Sequence, residues 1–161
     1  MRAMTGAFTA ILLALVSVSG HGGEKVKKVE YDAGFTAYFV KNTYPLKEES
    51  AYVVLADKEA FDKVFGVGFT MKKPKTIDPK DFDSNIAVVV LKKGPAPWKL
   101  TVEEVTTEDG ELRVHYRANP GQAGTAIFTS PLIVMVAGRD YGRVVFVENG
   151  KKAGTAELKK K

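Results

Sequence analysis

Few side chains in this chain could act as a nucleophile, a base or a metal ligand, and their spacing does not bring them together. There is no cysteine, which removes thiol nucleophiles, thiolate metal sites and disulfide exchange. The two histidines differ in setting. His21 lies close to the start, and His115 alternates with apolar neighbours so that it falls on the polar face of a strand. Of the serines, Ser50, Ser84 and Ser130 are available, but none stands in the Gly-x-Ser-x-Gly turn that exposes a nucleophile between strand and helix. Asp78, Asp81 and Asp83 could gather oxygens around calcium. Their order lacks the glycine and the distal glutamate of a calcium loop, and Lys80 sits among them. A helix-capping or loop role fits these carboxylates better. Glu103 and Glu104 are adjacent on a strand, so they point to opposite faces unless a bulge rotates one of them. Gly66-Val67-Gly68 follows a helix instead of opening one, the wrong context for a phosphate. No enzyme signature remains, and no cofactor is implied.

The segment most open to a binding role is Gly94-Pro95-Ala96-Pro97-Trp98. It is a proline-stiffened turn that delivers a tryptophan to the start of a strand, where rigid loops commonly make contacts. Asn119-Pro120-Gly121 through Gly124 is a candidate neighbour. The candidate partner-binding residues are therefore Gly94, Pro95, Pro97, Trp98, Pro120 and Gly121. Trp98 also reads as core, because it is in phase with Leu100 and Val102.

The elements that would hold these loops are mostly strands. Residues 34–40 and 51–56 have strand composition, and Asp57 then offers an N-cap to a short helix. Ala60, Phe61, Val64 and Phe65 fall on one face of that helix, Glu59 and Lys63 pair across a turn, and Gly66 is placed as its C′ residue. Residues 66–83 form a long connection. Ile86 to Leu91 is an unbroken apolar run of strand length, which predicts a central strand buried on both faces. Trp98 to Val102 alternates until the phase slips around Glu104-Val105, as a bulge would cause. Asp109-Gly110 predicts a tight hairpin, with Leu112, Val114 and Tyr116 inward and Arg113, His115 and Arg117 outward on the return. Residues 125–136 follow, divided at Ser130-Pro131, with Pro131 expected at an edge or a strand start. Residues 138–142 turn, 144–147 form a strand, and Asn149-Gly150 opens a last hairpin toward Leu158. The expected fold is mainly β (β-rich α+β). It is an antiparallel sandwich or partly open barrel of about 7–8 strands with one short amphipathic helix.

The first 20 residues read as a cleavable export signal. Arg2 gives a positive start, residues 7–18 are almost wholly apolar, and small residues follow at Ser17, Ser19 and Gly20. The apolar run is about a dozen residues, short of the roughly 18–20 that span a bilayer as a helix. Without cysteine no lipid can be attached at the cleavage point, so the expected product has no membrane span. It would comprise a polar lead-in at 21–33, one domain at 34–158 and a basic tail at 159–161, in a secreted or periplasmic location. Removing residues 1–20 leaves a net charge of +4, with a lysine cluster at Lys72, Lys73, Lys75 and Lys80. The excess reads as a solvated surface; nucleic-acid binding would want aromatics interleaved with a basic stripe.

From Ala51 to Glu148 the chain resembles the PrcB-like domain, named for a subunit of a secreted bacterial protease complex. The resemblance rests on the strand and short helix ending in Phe65-Gly66, and on Asp81-Phe82 before the buried strand 86–91. The hairpin at Asp109-Gly110 and the step Thr129-Ser130-Pro131 complete it. Residues 61–66, 77–90 and 131–147 are also similar to small secreted proteins of uncharacterised function from gut bacteria. One departure is plain: the family has a Gly-Gly-aromatic turn after the buried strand, where this chain has Gly94 to Trp98. The resemblance implies an exported, non-catalytic accessory or inhibitor-like module with a protein partner, a protease among the candidates. Alternatives are an envelope scaffold or anionic-polymer-binding protein, and a hydrolase whose site is built from the residues set aside above.

Overall fold

A computed structural model describes residues 25–158. The expected export signal, His21 and the basic tail lie outside the described residues. Among the described residues the fold is mainly β, with a single short α-helix and three sheets in a sandwich-like arrangement. In chain order the elements are β1 (Lys27–Lys28), β2 (Tyr31–Asp32), β3 (Tyr38–Val40), β4 (Ser50–Leu55), α1 (Lys58–Val64) and β5 (Phe65–Val67). A 3-10 turn (Pro79–Asp83) follows, then β6 (Asn85–Gly94), β7 (Trp98–Glu108), β8 (Glu111–Pro120), β9 (Phe128–Ala137), β10 (Arg143–Glu148) and β11 (Lys151–Glu157). Seven of these strands have six residues or more.

The sheets stack in layers around the apolar run. A four-stranded sheet, β2-β9-β6-β4, is the middle layer, and a five-stranded sheet, β1-β7-β8-β10-β11, covers one face. Helix α1 and the small β3-β5 sheet cover the other. Side chains alternate along a strand, so β6 feeds both interiors: Ala87, Val89 and Leu91 pack with Phe61, Phe65 and Phe82, while Ile86, Val88 and Val90 pack with Leu112, Val114 and Phe146. This explains why residues 86–91 carry no polar position.

Local chemistry ends several elements where expected. The Asp57 carboxylate accepts from the Ala60 amide at 2.8 Å and caps α1. Asp109 and Gly110, then Asn149 and Gly150, take left-handed conformations (φ 52, 75, 49 and 79°), the paired geometry that tight hairpins require. The β7–β8 register shifts between Val102 and Glu104, a bulge next to the predicted phase slip. The pairings are antiparallel except β8 with β10, which run parallel because the chain crosses to the other sheet as β9 between them.

Four expectations change. Residues 27–32 are not a loose lead-in, since β1 pairs with β7 and β2 with β9. Gly66 takes the C′ position but not the left-handed conformation of a C′ glycine; α1 ends at Val64, and the extended backbone of its C-cap Phe65 runs straight into β5. Ser130-Pro131 does not divide a strand, because β9 pairs with β6 continuously from Phe128 to Ala137. Pro131 is tolerated there since β2 reaches only Met135 and Val136, leaving one side of β9 open at the proline. The strand expected from Gly34 begins only at Tyr38, after a turn.

Candidate binding end of the sandwich

The two loops singled out from the sequence meet at one end of the molecule. Trp98 on β7 pairs with Pro120 on β8. The Gly121 amide donates to the Pro97 carbonyl at 2.7 Å, and the Gly124 amide to the Pro95 carbonyl at 2.8 Å. A β-carbon on Gly121 would stand 3.0 Å from the Pro97 oxygen, so the approach of the two backbones favours glycine there. Pro95, Pro97 and Pro120 are exposed, whereas Ala96 between them is buried. Pro97, Trp98, Lys99, Asn119, Pro120 and Gly121 line a shallow concavity of about 540 Å³.

Trp98 is half-buried and packs against the core between the two large sheets, so it serves the interior as well as the rim. Its amide donates to Ser130 Oγ at 2.9 Å, which ties the start of β7 to β9 and gives that serine a structural role. The Lys92 Nζ lies 5.2 Å from the centre of the Trp98 ring and 2.7 Å from the Glu148 carboxylate. The same carboxylate oxygen accepts from the Tyr116 hydroxyl at 2.6 Å. Burial pushes the Tyr116 hydroxyl far above the ordinary tyrosine range, and the bond to Glu148 raises it further. Lys92 and Tyr116 thus both donate to one carboxylate beneath the tryptophan. The network joins β6 to β8 and β10 across the sandwich and holds Trp98 from below.

Phe128 and Ile127 extend this end and were missed in the sequence. Phe128 pairs with Gly94 across the ladder and is 40% exposed; Ile127 is 64% exposed. Their composition reads as strand core, and only the exposed segment 121–128 in front of β9 shows that they face outward.

The other candidates are scattered. His115 sits opposite Glu104 on the β7–β8 ladder, Ser50 begins β4, and Ser84 follows the 3-10 turn. The Asp81 carboxylate accepts from the Asp78 amide at 2.7 Å, in keeping with a capping role. Glu103 pairs with Arg117 at 2.7 Å. Gly66 lies under the Phe39 ring, inside a strand pair. Lys75 is drawn to Asp32, while Lys72 and Lys73 stay exposed. Among the described residues, no group of three or more His, Cys, Asp or Glu side chains is placed to hold a metal ion. No helix among them is long and apolar enough to cross a membrane. Comparison with family models, with curated proteins and with solved structures finds no match.

Proposed function

We propose that this chain is an exported, non-catalytic binding module whose partner is a protein, of the protease-associated or inhibitor-like kind that the PrcB-like resemblance implies. The observation that carries the reading is the pre-stapled pair of loops: two backbone hydrogen bonds join residues 95–97 to residues 121–124, beside exposed Pro97, Pro120 and Phe128. A surface already held in one shape loses little freedom on association, so apolar contacts there are not offset by ordering. For the lysine-based alternative, an anionic polymer, the cluster in this loop offers exposed Lys72, Lys73 and Lys80, while Lys75 is engaged by Asp32.

The test is affinity capture from the native exported-protein fraction. The comparison is between wild type, a Pro97→Ala/Trp98→Ala variant and a Phe128→Ser variant, each shown to be folded by circular dichroism. Loss of the same partner in both variants supports the site. Equal recovery by all three proteins sinks it. Phe128→Ser is needed because Trp98→Ala also removes core packing.

A further inference from the structure

A second exposed apolar region lies far from the proline loops in the fold. It is the segment 67–73, which leaves β5 with the sequence Val-Gly-Phe-Thr-Met-Lys-Lys. Phe69 is 99% exposed and Met71 is 100% exposed, so neither touches the rest of the molecule. At the base, Phe39 and Val67 are half exposed on the small β3-β5 sheet, and the Gly68 amide donates to the Ala37 carbonyl at 2.7 Å, anchoring the stem. Residues 66–73 contain no acid, and the tip is followed at once by Lys72 and Lys73, both exposed.

We propose that this loop docks on a lipid surface carrying anionic headgroups, with Phe69 and Met71 entering the apolar edge of the bilayer and Lys72 and Lys73 resting on the headgroups. The geometry favours lipid over a protein groove for two reasons. The apolar groups are on a projecting tip, and a fluid layer accepts a projecting tip without a complementary shape. The cations stand next to it in sequence, where lysine stems can lie along the apolar edge while their ammonium groups meet phosphate. Lys75 cannot substitute for them, being held back by Asp32 and lying 4.6 Å from the Phe35 ring centre.

The chain has no cysteine, so a single Thr70→Cys can carry an environment-sensitive fluorophore at the tip, with Lys151→Cys on the β10–β11 hairpin as the remote control. The full chain is mixed with vesicles of phosphatidylcholine alone or with phosphatidylglycerol. A probe at one residue reports that residue alone, whatever the rest of the chain does. The expected result is a blue shift at residue 70 with the anionic vesicles, quenched by shallow nitroxide lipids, and no change at residue 151. Phe69→Ser/Met71→Ser should abolish the shift, and Lys72→Gln/Lys73→Gln should weaken binding roughly 10- to 30-fold. An unchanged residue-70 probe with anionic vesicles overturns the proposal. So do equal entry into neutral vesicles, equal shifts at both probes, and a lipid-free shift that grows with protein concentration, which would make the loop a self-association surface.

Discussion

On one face of the four-stranded sheet, Phe35, Tyr38, Phe61, Phe65 and Phe82 gather under α1 and the β3-β5 pair. On the other, Val88, Val90, Val105, Leu112, Val114 and Val144 fill the space between two sheets, closed at one end by Lys92, Glu148 and Tyr116. The first interior is a ring cluster: Phe61 meets Tyr38 at 5.0 Å and Phe65 at 4.8 Å between ring centres. The second is mostly aliphatic, with Phe146 and Tyr116 as its buried rings, and is tied by charge. The difference follows from the covering layer. A helix and a short ribbon leave uneven gaps that large rings fill, whereas two pleated sheets offer regular rows suited to β-branched side chains. It also separates the two surfaces. The aromatic face leads into the loop with Phe69 and Met71, and the aliphatic face ends beneath Trp98 and the proline loops.

The contrast is broken most strongly at Phe61, which is fully buried. Phe61→Ala should cost about 3–5 kcal/mol in chemical denaturation, because rings around a void cannot close it. A cost below about 1 kcal/mol would mean that this face relaxes as freely as a surface. Next comes Lys92→Ala, expected to cost about 2–3 kcal/mol, since it leaves the Glu148 carboxylate largely desolvated without its cation. The low end applies because Glu148 keeps 20% of its side chain exposed. Lys92→Met with Glu148→Gln should recover most of that loss, because the pair as a whole is worth less than either half alone. If the double variant were as unstable as the single one, the network would contribute more than charge balance.

Two glycines sharpen the comparison. A β-carbon on Gly154 of β11 would lie 2.3 Å from the Tyr52 ring, and one on Gly66 would lie 2.6 Å from the Phe39 ring. Tyr52 is partly buried and packs on Phe146 with ring centres 4.8 Å apart, so it cannot yield. Phe39 is 51% exposed and can swing outward. Gly154→Ala should therefore cost about 1–3 kcal/mol and Gly66→Ala less than about 1 kcal/mol. Equal penalties, measured by urea unfolding of both variants, would show that ring exposure does not decide the outcome.

Much of this fold was legible in residue order. The run 86–91, the hairpins at Asp109-Gly110 and Asn149-Gly150, and the capped helix after Asp57 each carry a local signal that tertiary context leaves intact. What escaped had none. Lys27–Lys28 and Tyr31–Asp32 are exposed edge pairs placed by the ladder and by partners distant in sequence, such as Lys75 for Asp32, with no apolar alternation to announce them. Pro131 looked like a divider because a chain does not reveal which side of a strand lacks a neighbour. The candidate site was half legible. Proline and glycine marked both loops, but not the hydrogen bonds that join them. Lys92 carries no signal of its own in the residue order, since its partners Glu148 and Tyr116 come from another sheet.

The last expected effect concerns pH, and it isolates the wired face from the aromatic one. The Tyr116 hydroxyl is raised above its ordinary value by burial first and then by Glu148, so the folded state keeps this proton where the unfolded chain has lost it. A raised folded value gives stability that is fully present below the unfolded tyrosine pKa of about 10 and declines as pH rises beyond it. Wild type should lose up to about 1.4 kcal/mol per pH unit above about pH 10 from this one group. Tyr141, raised by burial and by Asp140, adds a slope of the same sign. Tyr116→Phe should lower stability at neutral pH by about 1 kcal/mol through the lost hydrogen bond, yet flatten the alkaline decline. Urea midpoints measured from pH 8 to 11 read both effects. A Tyr116→Phe curve parallel to wild type would mean that Tyr116 takes no part in the alkaline response. A curve that is lower at pH 8 and converges with wild type by pH 11 assigns the response to the Lys92–Glu148–Tyr116 network, because the aromatic face retains all its rings in both proteins.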